Sequence, residues 1–110
     1  MSPRNLLLIP LLDTPLGFLE TPPFYPDWKA SICKEPDEAI IHVSNGHFLV
    51  GILSLDQAPE KIEIAHRLID HAPLMEWIAL IPAMPEYSDK FNYLLVNHFN
   101  DFHTLPANPP

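Results

Sequence analysis

Basic residues are scarce in this chain: six Lys and Arg stand against fourteen Asp and Glu, for a formal net charge of −8. Nucleic-acid binding draws on clustered Lys and Arg that displace counterions from phosphates, so direct nucleic-acid contact is not expected. Both halves share the excess, with six acids to three bases through Glu38 and eight to three after it. No basic face is therefore hidden behind the average. Cysteine is nearly absent too. Cys33 stands alone, which excludes an internal disulfide and leaves a reducing cytoplasm as the expected setting. The three glycines, at 17, 46 and 51, are too few and too scattered to cradle a phosphate, and no Gly-x-Ser-x-Gly occurs. A bilayer-spanning helix needs about 20 apolar residues, and no run comes near that. Leu6 to Leu12, after Arg4, imitates a signal peptide, but Pro10 interrupts it, Asp13 ends it and no small-residue cleavage site follows. No membrane association is expected.

What remains is a chain built to fold. Hydrophobic residues make up 47% of the 110 and charged ones 18%, a balance that supports one ordinary core. Prolines crowd the ends, at 3, 10, 15, 22, 23, 26 and 36 and again at 106, 109 and 110, while 37–58 has none. That distribution predicts a proline-rich, partly extended arm over 1–38, a core domain over 39–105 and a flexible tail over 106–110. Within the core, Asn45-Gly46 sits between alternating apolar runs and reads as a tight hairpin turn, because both residues tolerate positive φ. Strands are predicted over about 39–44 and 47–55. Asp56 and Pro59 then open an amphipathic helix to about His71, with Ile62, Ala65, Leu68, Ile69 and Ala72 on one side. Met75 to Ile81 reads as a buried strand between prolines, and Ser88 caps a last helix to about His103, striped by Phe91, Leu94, Leu95, Phe99 and Phe102. The expected fold is a small α+β domain of order β-β-α-β-α, with a mixed sheet, a β-hairpin, a βαβ crossover and a C-terminal helix. The apolar stretch Leu6 to Leu12, with Phe18, Phe24, Tyr25 and Trp28, is left to form an edge strand or to cover the second sheet face.

Candidate chemistry is thin. His98 falls in the middle of the Phe91, Leu95 and Phe102 stripe, where a polar ring is either a pocket base or metal ligand, or a core histidine bonded to a neighbour. His42 and His47 lie diagonally across the predicted hairpin, where a transition ion needs a third ligand, such as Cys33 or another His, that nothing in the sequence places there. Glu63, His66 and Asp70 share a helix face, but Glu-x-x-His makes a di-metal site only when a second copy faces it, and a solvated face with a Glu63 to Arg67 pair explains the same residues. Cys33 lacks an identifiable base to act as a nucleophile. Pro22-Pro23-Phe24-Tyr25 matches the Pro-Pro-x-Tyr pattern that WW domains bind, although an extended arm packing its aromatics on the domain is the favoured account. Gly51, inside a predicted strand, signals close packing or a bulge.

These readings converge on a non-catalytic acidic protein-protein interaction module, such as an inhibitor, an immunity-type antagonist or an assembly adaptor, facing a basic partner surface. Phe24, Tyr25 and Trp28 are its candidate contact residues, since aromatics anchor interfaces. No cofactor is expected, and enzymatic activity is not favoured. The alternative is a histidine-dependent metal or small-ligand binder or enzyme using His98, or His42 with His47. A further alternative is a structural homodimer that buries an apolar sheet face, which replacement of Leu49 or Leu53 by Asp would separate into monomers.

Overall fold

A computed structural model describes residues 4–12, 28–45 and 48–105. Among the described residues there are eight elements, in chain order β1 (Arg4–Pro10), β2 (Trp28–Ile32), α1 (Pro36–Ser44), β3 (Val50–Ser54), α2 (Pro59–His71), β4 (Glu76–Pro82), α3 (Asp89–Asn97) and β5 (Asp101–Leu105). The five strands form one sheet in the order β2-β1-β3-β4-β5, and every pairing is parallel. The architecture is α/β. It replaces the expected α+β mixed sheet, and no β-hairpin is present among the described residues.

The first correction lies at 39–44. This segment belongs to α1, with Ala39 and Val43 buried four residues apart on its inner side. Pro36 opens the helix, where its missing N–H costs nothing, and Asp37 and Glu38 sit in the first turn, where carboxylates favour the positive helix end. The run Ala-Ile-Ile-His-Val is short and rich in β-branched residues, so its pattern fits a strand as well as a helix, and packing chose the helix. Asn45 is the helix cap at φ −76° and ψ −11°, an ordinary right-handed conformation, and not the first residue of a type I′ turn. The strand expected over 47–55 is β3, only five residues long.

The second correction lies at the far end. The last helix stops at Asn97, and Asp101–Leu105 is a fifth strand paired with β4. The stripe drawn through Phe99 and Phe102 therefore crosses two elements, with Phe99 buried and Phe102 at the exposed sheet edge. The third concerns the N-terminus. Leu6, Leu7, Leu8 and Ile9 are neither an arm nor an edge: β1 lies inside the sheet between β2 and β3, so the sheet extends well ahead of residue 39. A parallel strand covered on both faces reads as a continuous apolar run, as Leu-Leu-Leu-Ile does here.

The helix expected to about His71 is present over Pro59–His71, and the strand expected over Met75 to Ile81 is present over Glu76–Pro82. Together with β3 they make a parallel βαβ unit. The core lies between one sheet face and the three described helices: Leu7, Ile9, Leu53, Leu55, Trp77, Ala79 and Ile81 meet Ala39, Val43, Ala65, Leu68, Phe91 and Leu94. Trp77 is its largest fully buried side chain, and its indole N–H donates to the Ala72 carbonyl at 2.9 Å. Gly51 pairs with Trp77 across β3 and β4. A Cβ at residue 51 would lie 2.5 Å from the indole ring, so the close packing expected of this glycine is present.

Candidate functional site: the carboxyl edge of the sheet

In an open parallel sheet, ligands sit beyond the carboxyl ends of the strands, where the strand order reverses direction. Here the chain runs from β1 outward to β2 and then returns to β3 on the other side. The crevice between β1 and β3 is therefore where a site belongs. Leu11, Leu12, Ser54, Leu55, Asp56 and Gln57 border it, with Ala83 to Ser88 alongside after β4.

The backbone there is already committed. The Leu11 N–H donates to the Ser54 carbonyl at 2.9 Å, the Leu12 N–H reaches the Ser54 hydroxyl at 3.5 Å, and the Leu55 N–H donates to the Leu80 carbonyl at 3.0 Å. Ser54 is the buried polar residue of this edge, fully shielded from solvent. Its hydroxyl is thus held against the β1 end and does not project outward.

The side chains that reach solvent brace loops. One Asp56 oxygen accepts the Ala58 N–H at 2.9 Å and the other binds Lys61 Nζ at 3.0 Å. Partial burial works to raise the Asp56 carboxyl, but the Ala58 N–H together with the hydrogen bond and charge of Lys61 outweighs it, and the group sits below the usual carboxylate range. Asp56 thus serves the start of α2 as the sequence suggested, although the capping position itself is Ala58, which has no side-chain cap. The Gln57 amide joins two loops: its oxygen accepts the Ser88 N–H at 2.6 Å, and its nitrogen donates to the Glu86 carbonyl at 3.4 Å and approaches Met84 Sδ at 3.6 Å. The Tyr87 hydroxyl donates to the Pro82 carbonyl at 2.8 Å. Ser88 caps α3 as expected, accepting the Phe91 N–H at 3.2 Å.

The residues singled out in the sequence are dispersed. His42 is exposed on α1, with its ring edge-on to Phe48 at 6.3 Å, so the hairpin that would have paired it with His47 does not exist. His47, Phe24 and Tyr25 lie outside the described residues, and Trp28 is placed by its backbone in β2. Cys33 follows β2 and is buried, its thiol donating to the Glu35 carbonyl at 3.3 Å, and burial, with the carboxylates of Glu38 and Glu35, pushes it above its ordinary range despite that bond. Such a thiol is a poor nucleophile. Arg67 reaches Asp37 of α1 at 4.0 Å and not Glu63. Among the described residues no group of three or more His, Cys, Asp or Glu could hold a metal ion. His98 is the exception to the dispersal. It is the C-cap of α3, not mid-helix, and its ring lies 4.7 Å from that of His66. Nothing in the spacing of positions 66 and 98 announces that meeting, nor does any signal connect Gln57 with Ser88.

Residues 24–110 match the VpsR domain family. Among solved structures, the fold resembles a CheY-like response regulator receiver domain protein from Methanospirillum hungatei, with a TM-score of 0.67 and 17% identity over 98% of this chain and 86% of that one. A pilus assembly-related protein from Burkholderia pseudomallei is similar to the same degree, with a TM-score of 0.67 and 11% identity over 98% of this chain and 82% of that one. At such identities the likeness establishes a receiver-like fold. No curated protein matches the sequence.

Proposed function

We propose, from the premise that this chain belongs to the VpsR domain family, that it is a non-catalytic regulatory module that works by contacting another protein. The observation that carries the reading is the use made of the carboxyl edge. Asp56, Gln57 and Tyr87 spend their polar atoms on Lys61, on Ser88 and on the Pro82 carbonyl, which stiffens two loops. An edge whose described side chains are braced in this way suits recognition: they are held in place, and the half-buried Asp56 carboxylate and Tyr87 hydroxyl keep lone pairs to accept from another chain. The net charge of −8 favours encounter with a basic partner surface. Phe24, Tyr25 and Trp28 are proposed as its aromatic contacts. The test is a native mass spectrum of the tagged chain purified gently from its source. A stoichiometric added protein mass that dissociates as salt rises supports the reading, and a chain that emerges bare at low and high salt alike defeats it.

A homodimer is the second reading, carried by the other sheet face. Ile52, Ile78 and Leu80 are half-buried there and Ile32 is 38% exposed, whereas the described helices all pack on the opposite face. Leu53, by contrast, points into the helical core and Leu49 precedes β3, so neither substitution tests the dimer. Ile78→Asp does: a shift from dimer to monomer in sedimentation supports the reading, and an unchanged mass removes it.

A further inference from the structure

Two imidazoles meet in the groove between α2 and α3, toward the end of α3 that leads into β5 and away from the carboxyl edge. His66 lies on α2 and His98 caps α3, and both are half-buried. Their ring centres are 4.7 Å apart at an interplanar angle of 77°, and the Tyr93 ring stands 5.8 Å from that of His98. Among the described residues neither ring has a hydrogen bond to protein. Two other histidines are already engaged, His71 with the Arg67 carbonyl at 2.8 Å and His103 with Asp101 at 3.1 Å.

The geometry points to a divalent late-transition-metal site, of the Zn²⁺, Ni²⁺ or Cu²⁺ class, with His66 and His98 as its two protein ligands. A metal–imidazole bond of about 2.0–2.1 Å places each ring centre about 3.2 Å from the ion. Two such rings are then about 4.5 Å apart at a 90° ligand angle and about 5.2 Å apart at the tetrahedral angle. The observed 4.7 Å falls between these limits. Bringing one nitrogen of each edge-to-face ring onto a common ion requires turning the rings about their Cβ–Cγ bonds, a soft torsion whose axis runs close to the ring centre, so the spacing changes little in the turn. Late divalent ions accept neutral imidazole readily, and water completes the shell where no third protein ligand joins. Glu63 and Asp70 flank His66 one turn to either side on α2, both exposed, and with the acidic surplus they draw cations toward the groove. A bound ion would tie α2 to α3.

Calorimetric titration of the full chain with zinc chloride tests the assignment. The expected result is one saturable ion per chain, lost in His66→Gln and in His98→Gln and retained in His71→Gln and His103→Gln. Binding that survives both of the first two substitutions, or no saturable binding in the unaltered chain, overturns it. Should either variant fail to fold, substoichiometric Cu²⁺ added to the unaltered chain gives the answer by NMR. Line broadening centred on His66 and His98 supports the site, and broadening centred on other histidines overturns it.

Discussion

The two faces of the sheet are made from the same strands and read alike in sequence, yet they are built differently. On one face Leu7, Ile9, Leu53, Trp77, Ala79 and Ile81 are closed off by three helices, and all are essentially inaccessible. On the other, Leu8, Val50 and Ser54 are buried while Ile52, Ile78 and Leu80 are only half-buried and Asp101 and His103 are open to solvent. Alternation along a strand separates the two sets residue by residue, so neighbours such as Leu53 and Ile52 have opposite surroundings. The lesson is that apolar character on both sides of a strand signals two interfaces without saying that they are equally tight.

Truncation should expose that difference most strongly. Trp77→Ala removes the largest buried side chain of the helix-covered face together with its bond to Ala72, and is expected to cost about 3–5 kcal/mol. Ile78→Ala, one residue along and on the other face, should cost well under half as much, and equal losses in urea denaturation would erase the contrast. Next comes Gly51→Ala, where the added methyl meets the indole ring: overpacking should cost about 1–3 kcal/mol. The same change in a Trp77→Leu background should cost less, and a double-mutant cycle measures the coupling. A smaller effect is expected at Asn100, whose side-chain oxygen accepts the Trp77 N–H at 2.8 Å while its own N–H donates to the Trp77 carbonyl at 2.8 Å. Asn100→Ala leaves a backbone donor at the start of the helix-covered face without its partner and should cost about 1–2 kcal/mol, read as a lowered midpoint with an unchanged denaturant slope.

The smallest effect belongs to the carboxyl edge, outside both faces. The Asp56 carboxyl is depressed in the folded chain, so it stabilises above its unfolded pKa and that contribution fades as pH falls through the folded value. Asp56→Asn should therefore lower thermal stability slightly at neutral pH and not at all in strong acid. The pair is partly solvent-exposed, which keeps the difference small. A variant that loses equal stability at both pH values would mean that the charge is not what Asp56 contributes, since the Asn side-chain oxygen still accepts the Ala58 N–H.

Legibility tracked the range of the interactions involved. Helix α2 was readable because Pro59 and the positions of Ile62, Ala65, Leu68 and Ile69 lie within a few turns of one another. Strand β4 was readable because prolines bracket an apolar run. Helix α1 is hidden because Asn45-Gly46 is a stronger local signal than the helix start at Pro36-Asp37-Glu38. Strand β5 is hidden because Phe99 and Phe102 continue a helical spacing past Asn97, and pairing with β4 takes over there. In the candidate metal site, His98 stood out as a polar ring among apolar neighbours, but its partner His66 lies in another helix and carried no mark of the connection.

Residue order alone thus determined where α2 and β4 form, that Gly51 admits a close neighbour, and that the surface is acidic, since caps, periodicity and charge act locally or by simple summation. Three-dimensional packing decided that β1 enters the sheet interior, that every strand runs parallel, and that His66 meets His98. Those outcomes join residues such as Leu12 and Ser54, 42 positions apart. Contacts at that separation become favourable only once the intervening chain has been ordered and its loop entropy overcome, which is why no local pattern encodes them.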